Sequence, residues 1–280
     1  MKSAQDSKPQ WGSSYRLVAA ERWKAKSAAM GAAVTLALID CASPQPGMKV
    51  LDLASGTGEP AIGLASRVKS EGHVTALDFS AELLLIAEER ARQCGLQNFS
   101  TCQADAQSLP FPDRHFDLVT CRFGIMFFAD CDKASREVHR VLCSDGRVCF
   151  LAWGPFDQPY WSNTMGIVTR HVGGPAITPG DPDPFKFAQP GSLSDVLRRA
   201  GYAAIEENTE TLPWIWPGSP EEVWEYQKSV AVPFRPLLDR VPPKKWDAVN
   251  REVHAALSRY SEGGSVKFGA VVVLASGMKS

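Results

Sequence analysis

Val50-Leu51-Asp52-Leu53-Ala54-Ser55-Gly56-Thr57-Gly58-Glu59-Pro60 reads as a buried strand that runs into a glycine turn and straight into a helix. A turn of that shape brings main-chain N–H groups against a nucleotide-containing ligand. Gly56-Thr57-Gly58-Glu59-Pro60-Ala61 satisfies the G-x-G-x-x-G/A spacing of dinucleotide sites, with Asp78 about 20 residues further on. The charges point elsewhere. A pyrophosphate at a helix N-terminus needs free N–H groups and no neighbouring anion, whereas this turn offers Glu59 followed by Pro60, which has no N–H. No Lys or Arg lies between Val50 and Ser66, so a segment carrying Asp52 and Glu59 suits a cation better than a polyanion.

Working outward, strands are expected at 48–53, 73–78, 98–103, 116–121 and 147–153, and helices at 58–69, 81–93 and 132–142. One or two alanine-rich helices span Arg16 to Ile39, and Pro44 and Pro46 stop them. Strands alternating with helices specify an α/β fold with a doubly wound, mostly parallel sheet. After residue 153 the texture changes, with 14 of the 20 prolines lying between 155 and 243. Ser192 to Ala200 before Gly201 reads as a helix with a glycine cap, followed by a strand near 202–211 and a last strand at 266–275. The segments 154–190 and 212–262 fall outside the sheet pattern and are expected to cap the carboxyl ends of the strands, where open α/β sheets bind ligands.

The chain has 280 residues, with 30 Lys and Arg against 31 Asp and Glu. That balance leaves no electrostatic footprint for nucleic acid or an anionic membrane and favours small, nearly neutral partners. Met1 to Gln10 is polar, and no apolar run reaches the roughly 18 residues of a membrane span, so the expected location is cytoplasmic. The seven cysteines, 41, 94, 102, 121, 131, 143 and 149, form no C-x-x-C pair, which argues for free thiols and against a metal site or a disulfide framework. Cys102, Cys121 and Cys149 fall in expected strands as small apolar residues.

Val50 to Pro60, Thr75-Ala76-Leu77-Asp78-Phe79-Ser80, Gln103-Ala104-Asp105-Ala106, Phe116 to Phe128 and Val141 to Arg147 resemble, in this order, the motifs of class I S-adenosylmethionine-dependent methyltransferases. The ubiquinone/menaquinone-biosynthesis C-methyltransferase group is the nearest in character. The resemblance covers about residues 46 to 153 and fades beyond. It implies a Rossmann-like seven-stranded sheet with an antiparallel last strand and an inserted aromatic-rich cap. It also implies S-adenosyl-L-methionine as cofactor, whose sulfonium and ammonium agree with an acidic turn. The expected units are a helical lid at 1–45, a cofactor-binding core at 46–153, the two cap insertions, and 191–211 with 263–280 completing the sheet.

By resemblance, Ala54, Gly56 and Gly58 form the turn around the methionine part of the cofactor, and Asp52 reaches its ammonium through water or orients the turn. Asp78, beside Phe79, accepts from both ribose hydroxyls, and Asp105 with Ala106 meets the adenine. For Asp105 a helix N-cap is a rival reading. Arg122, Phe123 and Met126 line the methionine moiety and the methyl group, while Phe127 and Phe128 fit that wall or the core. Tyr15 and Trp23 fit a lid over the cofactor or core packing.

A sulfonium methyl needs little beyond an acceptor held in line and water excluded. His171 and Asp157 are the candidates for a base. Trp153, Tyr160, Trp161 and Phe187, with Phe156, Phe185, Trp214 and Trp216, suggest a small apolar or aromatic acceptor. Two other functions remain open: an NAD-dependent oxidoreductase, on the glycine spacing and Asp78, and a non-catalytic binding scaffold with a methyltransferase-like fold. Arsenite methylation finds no support in the thiol spacing.

Overall fold

The computed structural model describes residues 14–280. Strand β1, Lys49–Leu53, is buried at every position after the first, as a central strand of a covered parallel sheet must be. It pairs in parallel with β2, His73–Asp78, and with β4, Phe116–Arg122, so that Leu51 lies beside Thr75 on one side and Val119 on the other. β3, Phe99–Gln103, extends the sheet beyond β2, and β5, Leu142–Trp153, extends it beyond β4. The order is β3-β2-β1-β4-β5-β8-β6, with β6 at Ala203–Trp216 and β8 at Ser265–Met278. β8 runs antiparallel to both β5 and β6. The chain reverses its direction of travel across the sheet between β1 and β4, and the crevice there, at the carboxyl ends of the strands, is where such sheets accept ligands.

An eighth, two-residue strand, β7 at Ser261–Glu262, folds back on the start of β8. β6 continues to Trp216 rather than ending near 211, so Trp214 and Trp216 are sheet residues and the second insertion begins after them. β5 starts at Leu142, five residues earlier than expected, with Asp145 at φ +62° taking up the bend.

Helices α1, Ser14–Met30, and α2, Ala32–Ala42, break at Gly31, where a Cβ would overlap the Arg122 guanidinium. α2 buries Val34, Leu38 and Ile39. α3, Ala61–Val68, and α4, Ala81–Gln93, connect the first three strands. α5, Cys131–Val141, and α8, Ser192–Arg199, are tied by a two-pronged Arg199–Asp132 pair. The insertions carry α6, Pro159–Ser162, and α7, Met165–Val172, then α9, Pro220–Val230, α10, Arg235–Asp239, and α11, Trp246–Ser258. They merge into one helical cap, with α11 packed on α7 and α9 and α9 also against α1. No single helix among the described residues is long and apolar enough to cross a membrane.

Candidate active site

The turn after β1 is built from left-handed residues: Ala54 at φ +51°, Gly56 at +54° and Gly58 at +102°. Ser55 N–H donates to Leu77 O at 2.9 Å and Gly58 N–H to Ser55 O at 2.9 Å, which closes the turn against β2. The helix therefore opens only at Ala61, three residues later than its glycine spacing suggests. The two glycines differ in role. A Cβ on Gly56 would meet nothing within 4 Å, whereas one on Gly58 would lie 2.8 Å from Ile62 Cδ1 and 3.3 Å from Ala87. Gly56 opens the backbone to a ligand, and Gly58 lets α3 and α4 approach.

Asp78, at the end of β2, accepts the Gly56 N–H at 2.8 Å through Oδ2 and the Ser80 N–H at 2.9 Å through Oδ1. A carboxylate has about four acceptor sites, so each oxygen keeps capacity for a ligand hydroxyl. Asp105, just beyond β3, accepts Gln107 N–H at 2.8 Å and the Gln107 side-chain amide at 3.1 Å. No helix follows it: the carboxylate caps a turn, which rules out the N-cap reading.

Glu59 is not the free anion the sequence suggests. Arg90 of α4 pairs with its Oε1 at 2.5 Å and donates to Thr57 O at 2.5 Å, so a cation from 31 residues away partly neutralises the turn. The local absence of Lys and Arg therefore carries less weight in choosing the ligand than it does on the sequence alone.

Asp52 is fully buried between β1 and β4. Its Oδ1 accepts the Thr120 hydroxyl at 2.7 Å, its Oδ2 has no partner, and burial raises it to about 7. Arg122 ends β4 with an unpartnered buried Nε, and burial holds its guanidinium below the usual range. Phe123 follows at φ +56°, stacked on Trp153 with ring centres 4.4 Å apart.

Gly56, Asp78, Asp105, Arg122 and Phe123 face one cavity of about 530 Å³, lying between the sheet edge and the cap. That size falls within the roughly 300–1,000 Å³ range of small-molecule sites. Ala54, Gly56, Asp78, Phe79, Asp105 and Ala106 line one part of it, and Arg122, Phe123, Trp153, Tyr160 and Trp161 line another. Phe127 and Phe128 are also wall residues.

Several expected residues stand elsewhere. Asp52 and Gly58 lie beneath the wall, and Met126 is buried under it with its sulfur accepting the Trp153 N–H at 3.2 Å. Phe187 is buried in the cap under Lys186, and Phe156 and Phe185 pack on each other at 5.3 Å. Trp216 packs on Trp23 at 5.5 Å in the core, and α1 instead presents Ala20, Ser27, Ala28 and Met30 to the cavity. The side chain of Tyr15 lies outside the described residues. His171 pairs with Glu252 at 2.7 Å on the outer side of α7, and Asp157 is exposed, so neither candidate base reaches the cavity. Among the described residues no three His, Cys, Asp or Glu side chains gather as a metal site.

The cavity also has walls that the sequence reading missed. Ser55, Thr57 and Gln107 flank the carboxylates, and Tyr226, Gln227 and Phe234 close the cap side beside Trp214, which was expected there. Ser219-Pro220-Glu221-Glu222 is a capping box that marks the start of α9 in the sequence, so the helix bearing Tyr226 and Gln227 was within reach.

The sequence pattern of the ubiE/COQ5 methyltransferase family matches residues 34–173. A C-methyltransferase of ubiquinone/menaquinone biosynthesis from Idiomarina loihiensis is 42% identical over 187 residues, covering 62% of this chain and 73% of that protein. Its counterpart from Psychromonas ingrahamii is 40% identical over 123 residues, covering 43% of this chain and 49% of the other. The chain thus spans about half the length of most such relatives. Among solved structures, the YcgJ protein of Bacillus subtilis superposes with a TM-score of 0.56 at 22% identity, over 88% of this chain and 97% of that one, which speaks for the fold alone. With half of its length matching the family pattern and a relative aligned over most of its own length, the chain belongs to the ubiE/COQ5 methyltransferase family.

Proposed function

We propose that this protein transfers a methyl group from S-adenosylmethionine to a small acceptor with an apolar or aromatic body. The observation that carries this reading is one cavity with two chemically distinct parts. Gly56 and the carboxylates of Asp78 and Asp105 stand at the strand ends, and an aromatic wall of Phe123, Trp153, Tyr160 and Trp161 lies under the cap.

S-adenosylmethionine supplies an electrophilic methyl on a sulfonium, so the protein's task is orientation and the exclusion of water. Asp78 offers its remaining lone pairs to ribose hydroxyls, and Asp105, held by Gln107, offers one to an exocyclic amine. Phe79, 54% exposed at the cavity edge, provides an apolar face for the base. Arg122, whose buried Nε has no hydrogen-bond partner among the described residues, suits the amino-acid carboxylate. The paired rings of Phe123 and Trp153 keep the reacting region dry. With His171 and Asp157 remote from the cavity, we assign neither a proton transfer.

The relatives are named for quinone biosynthesis, but the family match ends at residue 173, before α9 and β6 complete the cavity. A quinone precursor is therefore one acceptor to assay, not the one we assign. Calorimetric titration with S-adenosylhomocysteine and with NAD tests the cofactor reading. Binding of S-adenosylhomocysteine alone is expected, and binding of NAD alone would overturn the assignment in favour of an oxidoreductase. Methyl incorporation into an acceptor panel, using labelled cofactor, separates an enzyme from a binding scaffold.

A further inference from the structure

Cys149 on β5 and Ser276 on β8 are direct partners in the antiparallel register, so their side chains leave the sheet on one face. Arg147, two residues before Cys149, shares that face because strand side chains alternate. Helix α2 packs over β5 and β8 and brings Cys41, in its last turn, onto this group. The Cys41 and Cys149 sulfurs are 3.7 Å apart, and Arg147 Nη2 donates to Ser276 Oγ at 3.1 Å. None of the four residues lines the cavity described above.

The two thiols differ in access and in charge. Cys149 is buried and keeps its proton, whereas Cys41 is partly exposed, and the Cys149 thiol and the Arg147 guanidinium draw it down to about 6. Thiolate population alone gives Cys41 a gain of only about 2–4-fold over an ordinary exposed thiol at pH 7, because a less basic thiolate is also a weaker nucleophile. An electrophile whose departing atom accepts a hydrogen bond gains more. A hydroperoxide is of that kind: its O–O bond breaks to release a hydroxide or alkoxide, and a guanidinium N–H beside the sulfur stabilises that oxygen. Arg147 is partly exposed, stands against the Cys41 sulfur and is held in place by Ser276.

We propose that Cys41 and Cys149 form a redox centre that reduces a small hydroperoxide, with Cys41 as the attacking and Cys149 as the resolving sulfur. In the first step the Cys41 thiolate attacks one peroxide oxygen: the S–O bond forms, the O–O bond breaks, and a sulfenic acid is left on Cys41. The departing hydroxide or alkoxide takes a proton from solvent, replacing the one Cys41 gave up on ionising. In the second step the Cys149 sulfur attacks the Cys41 sulfur: the S–S bond forms, the S–O bond breaks, and hydroxide leaves with the Cys149 proton as water. Two electrons pass from the two thiols to the peroxide, and a thiol reductant returns the pair to its starting state. This centre is independent of the methyl-transfer reading.

The test treats the reduced protein at pH 7 with hydrogen peroxide and, in parallel, with iodoacetamide, whose leaving group draws little on a hydrogen-bond donor. Mass spectrometry of non-reduced digests reads the sites. Peroxide is expected to give the linked Cys41–Cys149 peptide first, with two of the seven thiols lost and both recovered in dithiothreitol. The preference for Cys41 over exposed Cys94 should be at least about 10-fold for peroxide, against about 2–4-fold for iodoacetamide. Arg147→Gln should remove the excess seen with peroxide, and Arg147→Lys should restore part of it. In Cys149→Ser the reaction should stop at a Cys41 sulfenic acid, captured by dimedone. Should that variant not fold, Cys41→Ser serves: the buried Cys149 should then resist peroxide, and its oxidation at the native rate would contradict the assigned roles. An equal preference for the two reagents, earlier oxidation of Cys94, or oxidation of Cys41 in the native protein without linkage to Cys149 overturns the redox centre.

Discussion

The Asp78 carboxylate ties the end of β2 to the glycine turn, accepting the Gly56 N–H at 2.8 Å and the Ser80 N–H at 2.9 Å. One side chain thus shapes the turn and leaves acceptor sites for a ligand. Asp78→Ala removes both functions. Charge-assisted hydrogen bonds contribute about 1.5–3 kcal/mol each, and the turn is partly solvated, so a stability loss of about 1–3 kcal/mol is expected in urea unfolding. Binding of S-adenosylhomocysteine should weaken by about 100-fold or more, the equivalent of two lost ligand hydrogen bonds. An unchanged dissociation constant would remove Asp78 from the cofactor site.

Asp52 makes stability depend on pH in an unusual direction. Burial raises its folded-state value from the ordinary 3.8 to about 7. The native state therefore binds more protons than the unfolded chain between those values, and stability falls as pH rises from about 4 to 7, then levels off. The full difference corresponds to about 4 kcal/mol, an upper figure. Asp52→Asn, which cannot ionise, should gain on native protein across that window. Urea unfolding at pH 4.5 and 8 measures it: the variant's relative stability must be higher at pH 8, and an equal difference at both would show that Asp52 keeps one charge state throughout.

Cys41 and Cys149 bring their sulfurs within 3.7 Å, beside Arg147. Cys149 is buried on β5 and held well above the ordinary thiol value, so it keeps its proton. Its thiol and the Arg147 charge favour a thiolate on half-buried Cys41, drawn down to about 6. Cys41 is expected to react first among the seven thiols with iodoacetamide at pH 7, as mass spectrometry of partly labelled protein would show. Cys149→Ala and Arg147→Gln should each slow that reaction and move its pH midpoint upward. Faster labelling of exposed Cys94 would contradict the thiolate assignment.

Most of the core was legible because its signals are local. The Val50–Leu53 run, the glycine turn and a carboxylate closing β2 each carry their meaning within a few residues, and β2 and α4 fall at their expected bounds. β6 was read too short, since Pro213 looks like a strand end although the strand runs on to Trp216. β6 is an edge strand, where proline costs no ladder bond and outward charges discourage further pairing. The pairing of Glu59 with Arg90 was out of reach, because helix α4 brings the cation across from elsewhere in the sequence. Gln227 was invisible for another reason: a glutamine in an amphipathic helix reads as solvated, and only its enclosure under the cap leaves its amide unpaired.

Gly56 and Gly58 separate binding from folding within a single turn. At Gly56, φ is +54° and a Cβ would meet no protein atom within 4 Å. Alanine there costs about 1–2 kcal/mol for the left-handed backbone, a conformation that Ala54 already adopts at +51°. The added methyl lies in the wall of the cavity, against whatever the turn holds. At Gly58, φ is +102° and a Cβ would press on Ile62 at 2.8 Å and on Ala87 at 3.3 Å. That position lies between α3 and α4, away from the cavity. Gly56→Ala should therefore lose S-adenosylhomocysteine affinity by about 10-fold or more with a modest fall in melting temperature. Gly58→Ala should lose several degrees of melting temperature or fail to accumulate, while any folded fraction binds with near-native affinity. Thermal unfolding and calorimetry on the two variants decide between them. Equal loss of affinity in both would mean that Gly58 also meets the cofactor.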